Sequence, residues 1–148
     1  MINLIEEENI NPVTLSIELE RAVLQHEARE DGSLYLTENG FFPIFIRVRK
    51  HSGLVSLDTY LYFRESATEL ERLKLANTMN QCAFGITCYV NDAQLKFDHI
   101  LNYRNGLLRE TFVRVVRNFS RVVGKSISEH DPGYQLLMPL LEMSAEKP

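Results

Sequence analysis

The histidines and cysteines of this chain are the side chains best suited to catalysis or metal binding, and their spacing favours neither. Cys82 and Cys88 have five residues between them, which is not the C-x-x-C spacing of redox or zinc sites. None of the four histidines is spaced as a metal-ligand pair. His99 is the first histidine to consider as a base, but a base needs a neighbouring nucleophile or orienting acid, and strand alternation turns Asp98 to the opposite face. The sequence therefore predicts no catalytic residue, cofactor or metal, and a protein that is not an enzyme.

A pair of asparagines ends the middle helix of the chain, as Asn77-Thr-Met-Asn80. Asn80 falls within the apolar arc of that helix, and a buried amide must be hydrogen-bonded to avoid a cost of about 1–3 kcal/mol. We interpret Asn80 as a helix C-cap that also holds the following strand, because Asn commonly ends helices. Ligand binding is the alternative.

Aromatic and arginine side chains on the predicted strands suggest protein binding. Such residues are enriched at protein interfaces, and an exposed patch of them marks a contact surface. If the helices cover one face of the sheet, strand alternation sends six of these residues to the other face. This candidate protein-binding face consists of Phe45, Arg47, Arg49, Tyr60, Tyr62 and Tyr89. The alternative is that the C-terminal segment 134–141 covers it.

A row of basic residues follows the last helix at intervals of three or four: Arg114, Arg117, Arg121 and Lys125. Nucleic-acid binding would use such a row. The net charge of −4 and the lack of a known nucleic-acid-binding motif favour a solvated helix face instead. A third possibility is a salt-bridged surface to the acidic first helix, which lies within the first 31 residues, where eight acidic residues stand against two arginines.

Length and composition are those of one soluble domain. The chain has 148 residues, of which 45% are hydrophobic and 24% charged. It contains no run of about 18 apolar residues, and its start is acidic where a signal peptide would be basic. We expect a cytoplasmic protein that does not bind membranes, folded as a single domain over residues 1–148 with loose tails at 1–10 and 144–148.

The hydrophobic periodicity predicts helices at the start, middle and end of an antiparallel sheet. The first helix begins at Asn11-Pro12 and fades near residues 27–29. The middle helix has a Ser66–Glu69 capping box and an apolar arc of Leu73, Leu75, Ala76 and Met79. The last helix spans 108–123 and stops at Gly124. The five strands are expected near 34–36, 42–50, 55–63, 84–90 and 95–101, with Asn39-Gly40 as a hairpin turn.

This element order resembles the fold of type III secretion chaperones. Within that fold, the chain is most similar to the YbjN-type family, labelled "putative bacterial sensory transduction regulator". The resemblance covers residues 33–123 and rests on Asn77-x-x-Asn80, on the hairpin from Phe84 to Leu101 and on Asn105-Gly106-Leu-Leu-x-x-x-Phe112. It implies an α+β, type III secretion chaperone-like fold (αβββαββα) with a five-stranded antiparallel sheet. It also implies a bacterial cytoplasmic protein without enzymatic activity, and a homodimer.

The function we expect is non-enzymatic protein binding in bacterial regulation, with an unidentified protein partner. A type III secretion chaperone that binds an effector segment is the first alternative. A nucleic-acid-binding regulator that uses the basic helix face is a further alternative, and a small hydrolase is a more distant one.

Overall fold

A computed structural model describes residues 3–82 and 85–140 of the chain. Its three α-helices are α1 (Pro12–Arg21), α2 (Glu69–Cys82) and α3 (Arg109–His130), and a 3-10 helix covers Glu7–Asn9. Its strands are β1 (Leu4–Ile5), β2 (His26–Ala28), β3 (Leu34–Leu36), β4 (Ile44–Arg49), β5 (Leu54–Tyr62), β6 (Thr87–Asn91), β7 (Gln94–Asn102) and β8 (Leu107–Leu108).

Within the described residues, the main sheet has six strands in the order β2-β3-β4-β5-β7-β6, and β1 pairs with β8 in a separate two-stranded sheet. Strands β2 to β5 pair antiparallel in sequence order, and β6 pairs antiparallel with β7. The α+β class is confirmed, but the prediction of five strands is wrong. The additional strand β2 lies where the first helix was expected to fade.

The first helix is shorter than predicted because its backbone is closed off at Val23. The amides of Ala22 and Val23 donate to the carbonyls of Glu18 and Glu20, and Val23 takes a positive φ of 59°. A residue in this left-handed region cannot continue a right-handed helix. The chain then reverses and pairs as β2. At the other end Asn11 caps α1 as predicted, with its side chain accepting from the Thr14 amide at 3.0 Å.

Two compact units divide the chain. The first contains residues 1–58 and 99–121, and the second contains residues 59–98 and 122–148. In the first unit, alternate residues of β3, β4 and β5 are almost fully buried, as the strand periodicity predicted. They are Leu34, Leu36, Ile44, Ile46, Val55 and Leu57, together with Phe112 and Phe119 of α3.

The N-terminal segment is more ordered than the sequence suggested. Leu4 and Ile5 pair with Leu108 and Leu107, and the Arg109 amide donates to the Asn3 carbonyl at 2.8 Å. Ile5 and Ile10 are buried. The loose tail expected over residues 1–10 therefore does not fit the described part of that segment, because its apolar residues join a core.

The middle helix lies in the second unit, and its N-cap lies two residues later than predicted. Thr68 rather than Ser66 is the cap: the Thr68 amide donates to Glu71 Oε1 at 3.0 Å and the Glu71 amide to Thr68 Oγ1 at 3.2 Å. The sequence contains two overlapping S/T-x-x-E patterns, and only the second forms the box. Leu75, Ala76 and Met79 are buried as expected, whereas Leu73 is half exposed and lies outside the buried arc.

The last helix runs past Gly124 to His130, so the predicted stop at Gly124 is wrong. Ser126 and Ile127 are buried and extend the stripe of Val123 by one turn, and this packing outweighs the roughly 1 kcal/mol cost of a mid-helix glycine. The helix ends instead where Pro132 cannot donate a hydrogen bond.

The segment after α3 folds back on its own unit, as predicted for residues 134–141, of which Leu141 lies outside the described residues. Leu137 is fully buried and forms a bridge with Phe63. The Arg64 amide donates to the Leu136 carbonyl and the Met138 amide to the Tyr62 carbonyl, both at 2.8 Å. These bonds place the segment beside the backbone at the end of β5. The predicted tail at 144–148 also lies outside the described residues.

Candidate functional site

The six residues of the predicted protein-binding face are divided between the two units. Phe45, Arg47 and Arg49 of β4 belong to the first, and Tyr60, Tyr62 and Tyr89 belong to the second. On β4 the three residues alternate with buried Ile44 and Ile46, which confirms that they leave the core face.

Phe45 is the centre of an aromatic–arginine cluster in the first unit. Its Cα partners across the sheet are Tyr35 on β3 and Asp58 on β5. The rings of Tyr35 and Phe45 are 4.7 Å apart and tilted by 47°. The Arg29 guanidinium lies 4.3 Å from the Tyr35 ring centre, and the Arg47 guanidinium lies 4.9 Å from that of Phe45. Cation–π attraction of this kind contributes about 0.5–1 kcal/mol per pair at exposed sites.

Hydrogen bonds hold Arg47 of this cluster and the neighbouring Arg49. Arg47 Nη1 lies 2.5 Å from Asp58 Oδ2, and both side chains remain partly exposed. Arg49 Nε donates to Ser56 Oγ at 3.3 Å. Hydrogen bonds from Ser33, and then the charges of Arg47 and Arg29, lower the pKa of Asp31. The cluster is thus a half-exposed surface of aromatic rings and oriented guanidinium groups, suited to contact with a protein.

The tyrosines of the second unit form a smaller aromatic surface. Tyr60 and Tyr62 pack edge to face with ring centres 5.7 Å apart, and both are half buried. Tyr89 on β6 is 40% exposed. The C-terminal segment contacts the backbone of Tyr62 in this region, so the covering segment considered from the sequence is present next to β5.

Asn80 connects α2 to β6, as the sequence predicted. Its Oδ1 accepts from the Cys88 amide at 2.7 Å, and its Nδ2 donates to the Cys88 carbonyl at 2.5 Å. Asn80 lies in the last turn of α2 rather than at a C-cap, and it is exposed rather than buried. The Cys88 side chain itself is buried; this burial, followed by the charge of Asp98, raises the pKa of its thiol to about 12, which leaves it unreactive at neutral pH.

His26 has a hydroxyl partner, which the sequence did not predict. Ser16 Oγ lies 2.7 Å from His26 Nε2, and His26 Nδ1 lies 2.8 Å from the Leu24 carbonyl. Since a carbonyl only accepts, Nδ1 of the neutral imidazole carries the proton, and its Nε2 then accepts from Ser16. The adjoining cavity is lined by Glu20 and Glu38, whose charges would oppose the oxyanion of acyl transfer. We interpret the pair as a bridge between α1 and β2.

The basic row on α3 is largely engaged within the protein. Arg117 donates to the Ala22 carbonyl at 3.2 Å, Arg121 bonds Asn118, and Lys125 lies 3.8 Å from Glu129. Arg114 is exposed.

The acidic N-terminal region also pairs with basic residues within the first unit. Arg104 lies 3.3 Å from Glu7, and Arg109 lies 3.6 Å from the buried Glu18. These ion pairs are made by Arg104 and Arg109, which lie outside the basic row; the row reaches the end of α1 through the bond of Arg117 to the Ala22 carbonyl.

Across residues 3–82 and 85–140, the side chains form no group of three or more metal-ligating residues that could hold an ion. The helices of this same part of the chain are too short or too polar to cross a membrane.

Comparison with solved structures defines the fold class. The crystal structure of YbjN, described as "a putative transcription regulator from E. coli", matches with a TM-score of 0.71 and 20% identity, over 86% of this chain and 95% of that one. A chain in the structure of the HopA1–SchA chaperone–effector complex matches with a TM-score of 0.55 and 13% identity, over 76% of this chain and 89% of that one. The molecule is therefore an α+β protein of the fold that these two structures share.

The family follows from the sequence itself. The model of the YbjN family, described as "Putative bacterial sensory transduction regulator", matches residues 11–129, and the chain belongs to this family. The predicted resemblance is thus confirmed. No curated protein matches the chain.

Proposed function

We propose that this protein is a non-enzymatic, protein-binding regulatory module of the bacterial cytoplasm. The observation that carries the proposal is the aromatic–arginine cluster of Arg29, Tyr35, Phe45 and Arg47. A protein gains little by holding two rings and two guanidinium groups half exposed, whereas interface hot spots are rich in such side chains. The family description, a bacterial regulator, agrees with this class of function.

Self-association is part of the proposal. Tyr60 and Tyr62 present a second aromatic surface, and we propose that it contributes to a homodimer. Pairing through one surface of each copy gives the closed, two-fold arrangement that most soluble oligomers adopt.

Secretion chaperone activity is the second candidate, supported by the likeness to a chain of a chaperone–effector complex. At 13% identity that likeness shows the fold alone, so the regulatory role remains our first proposal. Nucleic-acid binding is less favoured because Arg117, Arg121 and Lys125 already have partners within the chain.

A comparison of variants tests the proposal. Tagged protein is used to capture partners from extracts of the native bacterium, with quantitative mass spectrometry. The variant Phe45→Ser/Arg47→Ser should lose its specific partner by about 30-fold or more, the loss expected for hot spots worth about 2 kcal/mol. Arg114→Ser/Arg121→Ser on the basic row is the matched control and should retain the partner. The opposite pattern would assign binding to the basic row and overturn the proposal.

A further inference from the structure

The side chain of His130 has a buried nitrogen that lacks a hydrogen bond. Among the described residues, its Nε2 has no hydrogen-bond partner, and the nearby Glu129 Oε2 lies 4.0 Å away, which is beyond hydrogen-bond distance. A buried polar atom in this state costs free energy, and such atoms in native proteins generally have a partner. This nitrogen is therefore a candidate contact for a bound molecule.

A cavity of about 280 Å³ lies beside this histidine, in the second unit. One part of its lining is a single face of α2, with members three or four positions apart: Glu71, Lys74, Leu75 and Thr78. His130 and Leu136 complete the lining. The His130 side chain is 18% exposed, and rotation about its Cβ–Cγ bond is soft, so its Nε2 can turn toward a ligand there. The volume suits a small molecule, since ligand cavities usually measure about 300–1,000 Å³.

Hydrogen bonds hold the part of the lining that the C-terminal segment supplies. The Leu136 amide donates to Asp131 Oδ1 at 3.0 Å, and the Leu136 carbonyl accepts from the Arg64 amide at 2.8 Å. Arg64 Nε in turn donates to the Tyr134 carbonyl at 2.8 Å. Both backbone groups of Leu136 are thus fixed, and little ordering is needed when a ligand binds. The family model matches residues 11–129, so His130 and this segment lie beyond the matched region.

Charges of both signs at the cavity limit the chemistry of a ligand. Lys74 and Glu71 line it, and both are exposed. Hydrogen bonds with Thr68 lower the pKa of Glu71, so this carboxylate is ionised at neutral pH. On α3, Glu129 forms a second pair of opposite charges with Lys125, at 3.8 Å. A ligand with one kind of charge would meet a like charge on each helix, whereas a zwitterion has a partner for both of its charges.

We propose that this cavity binds a small zwitterion with an apolar side chain, namely a free amino acid of the leucine type. The carboxylate of the ligand pairs with Lys74 and accepts a hydrogen bond from His130 Nε2. Its ammonium group pairs with Glu71, and its side chain packs on Leu75 and Leu136. This ligand site is separate from the aromatic–arginine cluster and does not depend on the proposed protein binding.

Isothermal titration calorimetry of the full chain with L-leucine tests the proposal. Three analogues each lack one of the recognised groups: isoamylamine has no carboxylate, isocaproate has no ammonium group, and glycine has no apolar side chain. Leucine should bind saturably at one site, and each analogue should bind at least about tenfold more weakly. The absence of leucine binding would overturn the proposal, as would equal binding of isoamylamine or isocaproate.

Variants of the lining locate the site on the protein. His130→Phe keeps a flat ring but removes Nε2, and Lys74→Gln removes the ammonium group; each should weaken leucine binding at least about tenfold. Glu71→Gln should do the same, and its side chain can still accept the capping hydrogen bond from Thr68, which preserves the start of α2. Lys50→Gln makes the same charge change at an exposed residue outside the cavity and should bind as the wild type does.

Thermal unfolding gives a second readout of the same site. Leucine should raise the Tm of the wild type and of Lys50→Gln but not that of His130→Phe, because only a protein that binds the ligand is stabilised by it. If His130→Phe fails to fold, Lys74→Gln provides the same test at an exposed position. Unchanged leucine binding by these two variants would overturn the proposal. Phe45→Ser/Arg47→Ser should bind leucine normally, so this result and the test of protein binding are independent.

Discussion

Asn80 shows how one side chain can join two elements. Its amide donates to and accepts from the backbone of a single residue, Cys88, as a neighbouring strand would. We expect Asn80→Ala to lower the free energy of unfolding by about 1–2 kcal/mol, because both backbone groups lose their partner. Partner capture by the folded protein should be unchanged.

Denaturant unfolding of Asn80→Ala measures this effect, and Asn77→Ala is the matched control one turn earlier on the same helix. Asn77 is exposed and should cost less. Lost partner capture with unchanged stability would make Asn80 a binding residue and contradict the structural role.

At the level of single residues, strand alternation was enough to place Phe45, Arg47 and Arg49 off the core face. The sequence could not supply the rest of the cluster, because Arg29 reaches Tyr35 only through the strand β2. The sequence did not predict that strand, because Gln25-His26-Glu27-Ala28 contains none of the β-branched residues, Phe, Tyr or Trp that favour strands. Ser16 and His26 were missed for the same reason, since their contact depends on the reversal at Val23.

At the level of elements, local sequence signals predicted where the helices lie but not where they end. The apolar stripe of α3 continues through Gly124 to Ile127, so tertiary burial decided the end of the helix. The two overlapping capping patterns before α2 gave no local reason to prefer Thr68 over Ser66. Helix existence was thus predictable from periodicity, whereas helix ends depended on contacts distant in sequence.

Asp131 organises the junction between α3 and the C-terminal segment. Its buried carboxylate accepts from the backbone amides of Gln135, Leu136 and Leu137 at 2.9–3.3 Å. Asp131→Ala would leave these donors unpaired, and we expect a loss of about 1–3 kcal/mol of stability.

Hydrogen exchange of the backbone amides in the C-terminal segment tests this prediction. The amides of Leu136 and Leu137 should exchange faster in Asp131→Ala, while Glu129→Ala, an exposed residue of the same helix end, should leave them protected. Unchanged protection in Asp131→Ala would mean that the pairing with Phe63 and Arg64 holds the segment without the carboxylate.

At the level of the whole molecule, residues of the acidic N-terminal region form ion pairs with basic residues of the same chain. The ion pairs of Glu7 with Arg104 and of Glu18 with Arg109 join the acidic N-terminal region to the basic region around α3. Pairs with an exposed partner are worth about 0–1 kcal/mol each, so they orient these segments more than they stabilise them. We therefore expect the charged residues to contribute less to partner binding than the aromatic residues do.

Self-association is the prediction that concerns the molecule as a whole. Tyr60 and Tyr62 keep part of their rings in water, although each ring could bury on the order of 150–250 Å². The double variant Tyr60→Ser/Tyr62→Ser should keep the fold, because Leu57, Leu61 and Phe63 on the alternate positions are buried. It should weaken dimerisation by more than about 2 kcal/mol if the two rings are hot spots.

Sedimentation velocity over a range of concentrations measures the change, with Tyr89→Ser as a single-ring comparison. A double variant that keeps the wild-type oligomeric state would exclude these tyrosines from the dimer interface and leave the aromatic–arginine cluster of Phe45 as the next surface to test.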